Sequence, residues 1–364
     1  MVSKIEQNIK GDNNTQEHIE NQNIININIP LDEVKIRQIS SQTAREIAKE
    51  YFVLGQDLAN SRMQNLEDVV MNRFKSIENG YFAFSDPSFI LSYRKAQIQS
   101  AITDEESSYQ MLSELLVHRH EKRDQKYSKT AIDGAIEIVN QIPDASLVAL
   151  TIFTCINNNI LPTVNQLDAG LRILSNLYSS ILICDLPIDS KWMDQLDILK
   201  AIRIDNVNKF KTFKEIIGDL MSNYSKAGIK KDSQEYIDAL EIEKRNNIKI
   251  LIKNALMDEE YYILPVFEKS QINKLTFYSN GKNVYPPKEV FDAINSLMDL
   301  YTKDKSANEK ALNSLIDKID GFVSLKKIHM WWDSLSNACY LTEIGRVLGH
   351  ANAQKCYKGF PPLD

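Results

Sequence analysis

The sequence predicts a mainly α protein: a multi-helix body with a short N-terminal β-strand tail, a small β-hairpin insertion and a winged-helix-like C-terminal end. Three observations predict it. Apolar residues recur at helical spacing from Gln42 almost to the C-terminus, punctuated by Pro and Gly. Period-two alternation of β-branched residues marks Ile25, Ile27 and Ile29, and β-prone runs flank Asn280-Gly281. A hydrophobic content of 43% with 25% charged residues is that of a globular chain, and 364 residues are ample for a sizeable core.

Residues 1–38 form a polar tail rich in Asn and Gln. "GDNN" at 11–14 is turn chemistry, and Pro30 ends the alternating run. A single short strand is not stable alone, whereas Asn side chains stack in ladders between identical chains. Ile25, Asn26, Ile27, Asn28 and Ile29 are therefore expected to be an oligomerisation strand, and the protein a homo-oligomer. Disorder, or docking beside the chain's own strands at 261–285, are the alternatives.

A helical domain is expected over 39–185. Its first helix, about 42–79, would be on the order of 50 Å long at 1.5 Å per residue, and its apolar face could add a second contact between copies. Asp86 and Pro87 suit the cap and first turn of the next helix. Thr103 with Glu106 fits a capping box opening a helix to about 125. Further helices are expected at 128–141, 145–158 and 164–182, separated by Pro143 and Pro162. A second helical region over 186–315 would hold helices at 191–203, 209–225 and 233–257, a strand near 261–267, the hairpin around Asn280-Gly281, and helices at 287–301 and 307–319. Residues 316–364 form the winged-helix-like module, in which Thr342 caps a final helix with Ile344, Val347, Leu348 and Ala351 on one face.

A net charge of −6 argues against wholesale coating of nucleic acid or an anionic membrane. The longest apolar run, Ala145–Ile156, is too short for a span of about 20 residues. The opening "MVSKIEQNIK" has no apolar core of a signal peptide, so a cytoplasmic location without membrane attachment is expected. The four cysteines, Cys155, Cys184, Cys339 and Cys356, form no CxxC pair and read as free thiols.

Two segments, 92–153 and 339–354, carry a pattern: Leu112, Leu115, Leu116 and Arg119 on one helix, a helix-Pro-helix step, then Leu341, Thr342 and Gly345 in an LTxxG element. They resemble largely uncharacterised bacterial helical proteins related to the abortive-infection alpha proteins. The resemblance implies a role in defence against phages and implies no enzyme activity. It also implies a winged-helix-like end. The helix before the last strand departs from a DNA-reading helix, because Met330, Trp331, Trp332 and Leu335 stand where base-reading side chains would be expected.

No catalytic residue, metal site or cofactor is expected. His118 and His120 are two apart and face different sides of a helix, so they cannot share a metal. The dense charge from His118 to Lys129 reads as a solvated helix end. Arg346 and His350 resemble the arginine–histidine motif of helical ribonucleases of the HEPN type, with three intervening residues where that motif has four to six. Acidic clusters at Asp104–Glu106 and Asp258–Glu260 show no opposing carboxylates. The most nucleic-acid-like stretch holds Lys209, Lys211, Lys214, Lys230 and Lys231 among aromatics. Phe210, Phe213, Ile216, Ile217 and Leu220 nevertheless follow core spacing.

The leading expectation is a non-enzymatic, self-associating bacterial protein of phage defence or stress response, working through protein contacts, with a further protein partner encoded nearby. A nucleic-acid-binding regulator using the C-terminal module, and a nuclease or toxin effector, are the alternatives.

Overall fold

The computed structural model describes residues 33–158, 160–162, 166–279 and 282–363. The segment Ile25–Ile29 lies outside the described residues. Helix accounts for 66% of the structure against 5% strand, the rest being turns and small antiparallel sheets.

The chain divides into two compact units, 1–56 and 57–364. Helix α1, Glu33–Lys75, begins in the first and ends in the second. In the second unit follow α2 (Pro87–Ala101), α3 (Glu106–Glu121), α4 (Lys126–Ile138), α5 (Asp144–Asn157) and α6 (Leu167–Ile181). Asp86 caps α2 by accepting from the Ser88 amide at 2.9 Å, with Pro87 at the first position as expected. The capping box expected at Thr103 does not form. The cap position falls on Glu105, and Thr103 is held in the preceding turn, its carbonyl accepting from the Tyr109 hydroxyl at 2.8 Å.

Helix α5 is buried on every side from Ser146 to Cys155, as an all-round apolar helix must be. It is the axis of the unit. The C-terminal helix α13 (Glu343–Cys356) lies along it. Two side chains that sequence spacing cannot pair hold this contact: Asn352 donates to the Thr151 hydroxyl at 2.8 Å. Gly349 allows the close approach, since a Cβ there would meet Thr154 Oγ1 at 2.1 Å.

Three expected helices are shorter than their apolar spacing suggested. Helix α7 is Lys191–Ile198, not 191–203. Lys200 turns the chain with φ 62°, and Ile202–Asp205 becomes strand β1. Its alternation of Ile202 and Ile204 with Arg203 and Asp205 is the period-two signal, realised by a partner far along the chain. Helix α8 is Phe213–Leu220, started by a capping box of Thr212 and Glu215. Residues beyond Met221 leave the helix because buried Asn223 donates to the Leu264 and Val266 carbonyls at 2.6 and 2.7 Å. Helix α9 is Gln234–Arg245, and Asn247 with φ 51° ends the run that spacing carried to residue 257. Buried Glu243 then accepts from the amides of Ile250 and Leu251.

Strands β2 (Ile229–Lys230), β3 (Ile252–Lys253) and β4 (Tyr261–Ile263) pair in the order β2-β4-β3. Strands β5 (Phe277–Ser279) and β6 (Lys282–Val284) form the expected antiparallel hairpin; its turn residues lie outside the described residues. Helices α10 (Lys288–Asp299), α11 (Lys305–Asp320) and α12 (Val323–Asp333) lead to β7 (Ala338–Leu341). Strand β7 pairs antiparallel with β1, Ile202 opposite Leu341 and Asp205 opposite Ala338. No described helix is long and apolar enough to cross a membrane.

Candidate functional site

The family-like pattern on α3 is core chemistry. Leu112, Leu115 and Leu116 are fully buried, and Arg119 is only 3% exposed. Its guanidinium reaches Asp133 of α4 at 3.3 Å and the Ser88 hydroxyl of α2 at 3.1 Å, so one charge pins three helices. The reading of His118–Lys129 as a solvated helix end is therefore wrong at His118 and Arg119. Both lie under α13 or α4 rather than in water, because α3 is covered on several sides: every residue from Met111 to Arg119 except Glu114 is buried.

The LTxxG element is a clamp. Thr342 caps α13 by accepting from the Gly345 amide at 3.1 Å. The same hydroxyl lies 2.6 Å from the Lys200 carbonyl and 2.9 Å from the Ala201 carbonyl. Gly345 sits against that turn, where a Cβ would come within 1.9 Å of the Ala201 oxygen. Leu341 belongs to β7 opposite Ile202. The three residues thus join the last helix to the β1 turn.

Arg346 faces Glu343 in a two-point pair through Nε and Nη2. His350 is buried against Phe360 at 5.0 Å and against His118 at 5.1 Å, ring centre to ring centre. The two residues therefore do not converge on an open site. His118 Nε2 lies 2.6 Å from Gln354 Oε1, which assigns the proton to Nε2 and leaves Nδ1 without a partner. Burial is the main influence on both imidazoles. It lowers the pKa of His118, and with the neighbouring His118 it takes His350 down to about 3.

The expected nucleic-acid lysines are mostly neutralised. Lys211 meets Asp219 at 2.7 Å, Lys214 meets Glu309 at 3.9 Å, Lys230 meets Glu259 at 3.0 Å, and Lys231 pairs with Glu260. Lys209 is exposed without an ion pair among the described residues. Phe213 and Ile217 are in the core. The aromatic helix α12 is also inward-facing: the Trp331 and Trp332 indoles donate to the carbonyls of Pro187 and Lys211. Of Met330, Trp331, Trp332 and Leu335, only Met330 is exposed. Among the described residues no group of three His, Cys, Asp or Glu is placed to hold a metal.

The surface that stands apart is on α1 within the first unit. Ala44, Ile47, Tyr51 and Leu54 recur at spacings of three and four, the stripe by which two helices interlock. All are exposed, Tyr51 to 71%. Phe52, also 71% exposed, and Val53 point to other sides of the helix, being one and two residues beyond Tyr51. Sequence spacing marked an apolar face here but could not show that this part of it is left bare.

A protein-family model matches residues 31–363. The chain belongs to that family. Its description names no activity, ligand or partner. Family membership covers all of α1 and the body, and begins after the alternating Ile25–Ile29 segment. No curated protein and no solved structure matches the chain.

Proposed function

We propose that this protein self-associates through α1 and acts by protein contacts, in the phage-defence setting that the abortive-infection resemblance implies. The observation that carries the reading is the bare apolar stripe of α1. Ile47, Tyr51 and Leu54, on one face, expose on the order of 300 Å² per chain, since one aromatic side chain alone presents roughly 150–250 Å². A patch of that size is among the largest a soluble monomer leaves in water, and such patches are often functional. Two such stripes facing each other bury on the order of 600 Å², the size of a weak contact that the rest of α1 can enlarge. The occupant is a second copy, because stripes with three-four spacing are self-complementary when two helices pair. Within this reading the α12–β7–α13 end, expected from the sequence to be winged-helix-like, serves packing, and the paired lysines leave little free charge for a phosphate backbone. A partner protein encoded nearby would meet the assembled form.

Light scattering on a sizing column tests this with the full chain and a Tyr51→Glu, Leu54→Glu variant. The wild type is expected at a multiple of 41.7 kDa and the variant at 41.7 kDa. Equal masses would remove α1 as the association surface. Plating of phage on cells carrying the chain, the variant or neither tests the defence role. Equal plating on all three would refute it.

A further inference from the structure

We propose that the cleft between the end of α1, α3 and the segment following α13 is a binding site for a mononucleotide. The cleft has a volume of about 700 Å³. That lies within the roughly 300–1,000 Å³ typical of small-molecule sites. The gap beside Cys155, by contrast, holds about 40 Å³ among apolar side chains and is a packing flaw with room for little more than one water.

The cleft wall carries an excess of positive charge in a chain whose net charge is −6. Arg73, Lys355 and Lys358 line it against the single carboxylate of Glu114. Glu114 and Arg73 form a two-point pair at 2.8 and 3.2 Å through Nε and Nη2. This fixes the guanidinium plane and leaves Nη1 with only a long, 3.5 Å contact to Ser76 Oγ. Lys355 and Lys358 make no ion pair among the described residues. The surplus of two positive charges matches a phosphate monoester, which carries about −1.5 to −2 at neutral pH. Lysine suits that partner as a compact point charge.

The rest of the wall is built to orient a ligand. Ser113 is 2% exposed and lines the cleft, and its hydroxyl has no partner. A buried hydroxyl left unpaired costs about 1–3 kcal/mol, so a ligand that bonds it is favoured. Gln354 is held at both ends, its oxygen by His118 and its nitrogen by the Pro361 carbonyl at 3.2 Å. Asn72 adds a further amide with donors and an acceptor for the edge of a base, and Gln110 a second whose nitrogen already has a long, 3.4 Å contact with Glu106. Val69 supplies apolar surface for one of its faces; Phe360 also lines the cleft but is only 6% exposed, its ring packed against His350.

Isothermal titration of the full chain with AMP, GMP, CMP, UMP and sodium phosphate at low salt tests the assignment. At least one nucleotide is expected to bind ten or more times tighter than phosphate. The Lys355→Glu, Lys358→Glu variant should weaken that nucleotide at least tenfold, and Ser113→Ala severalfold. Lys358 is exposed, so Lys358→Glu alone keeps the test valid if the double variant does not fold. No nucleotide binding tighter than phosphate, or undiminished binding by the lysine variants, would overturn the proposal.

Discussion

Acid should destabilise this protein well before its ordinary carboxylates titrate, through His118 and His350. Both imidazoles are buried and held neutral. Around His118 stand Glu114, which favours its charged form, and Lys122 and Arg73, which oppose it; burial outweighs them all. Around His350 stand His118 and Arg346, which oppose charging, and the backbone at Pro361 and Pro362, which favours it less. In the unfolded chain each histidine takes up a proton near pH 6.5. Below that value the unfolded state binds more protons than the folded one, so stability falls as pH falls and is fully retained above about pH 7. For His350, with a folded value of about 3, the whole window from pH 6.5 down to about 3 is affected. At pH 5 the unfolded chain is about 1.5 units below its titration point, worth about 2 kcal/mol at 1.36 kcal/mol per unit. That figure does not depend on the precise folded value as long as it lies well below 5. His118 adds a loss of the same sign. Urea unfolding followed by circular dichroism at pH 7.5 and pH 5 measures it. A His118→Gln, His350→Gln variant should lose about 2 kcal/mol or more less than the wild type between those conditions. Glu121, whose carboxyl burial pushes up, changes stability in the opposite direction, and the comparison cancels it. An identical loss in both proteins would refute the reasoning.

Gly345→Ala should destabilise by about 1–3 kcal/mol, because the new methyl meets the Ala201 carbonyl rather than a yielding side chain. A free helix would gain up to about 1 kcal/mol from the same change, so a raised melting temperature would refute the clamp. Asp133→Ala leaves Arg119 charged and buried against Ser88 alone, and should cost about 3–5 kcal/mol in denaturant unfolding. A loss under 1 kcal/mol would mean that water reaches the guanidinium.

Several local signals were legible, although the capping box read at Thr103 and Glu106 does not form and the one at Thr212 and Glu215 went unread. Asp86 and Pro87 start α2, Thr342 caps α13, and Asn280-Gly281 sits between two strands that do pair. The helix expected at 145–158 is α5, while its burial on every side from Ser146 to Cys155 came only from the packing around it. The Leu112–Arg119 pattern was visible as a pattern, while its meaning was not: nothing near Arg119 in sequence points to Asp133 and Ser88 together.

Helical spacing and capping residues determined by themselves that the chain is mainly α and roughly where its helices begin, because those effects act over one turn. The tertiary structure alone decided what depends on distant partners. Residues 202–205 could satisfy their backbone as helix or strand, and β7, contributed by 338–341, decided for strand. His118 and His350 were two polar residues in sequence, and their burial against each other follows from α13 lying on α3 and α5. An apolar stripe is core or contact surface according to whether another element covers it, and on α1 between Ala44 and Leu54 none among the described residues does.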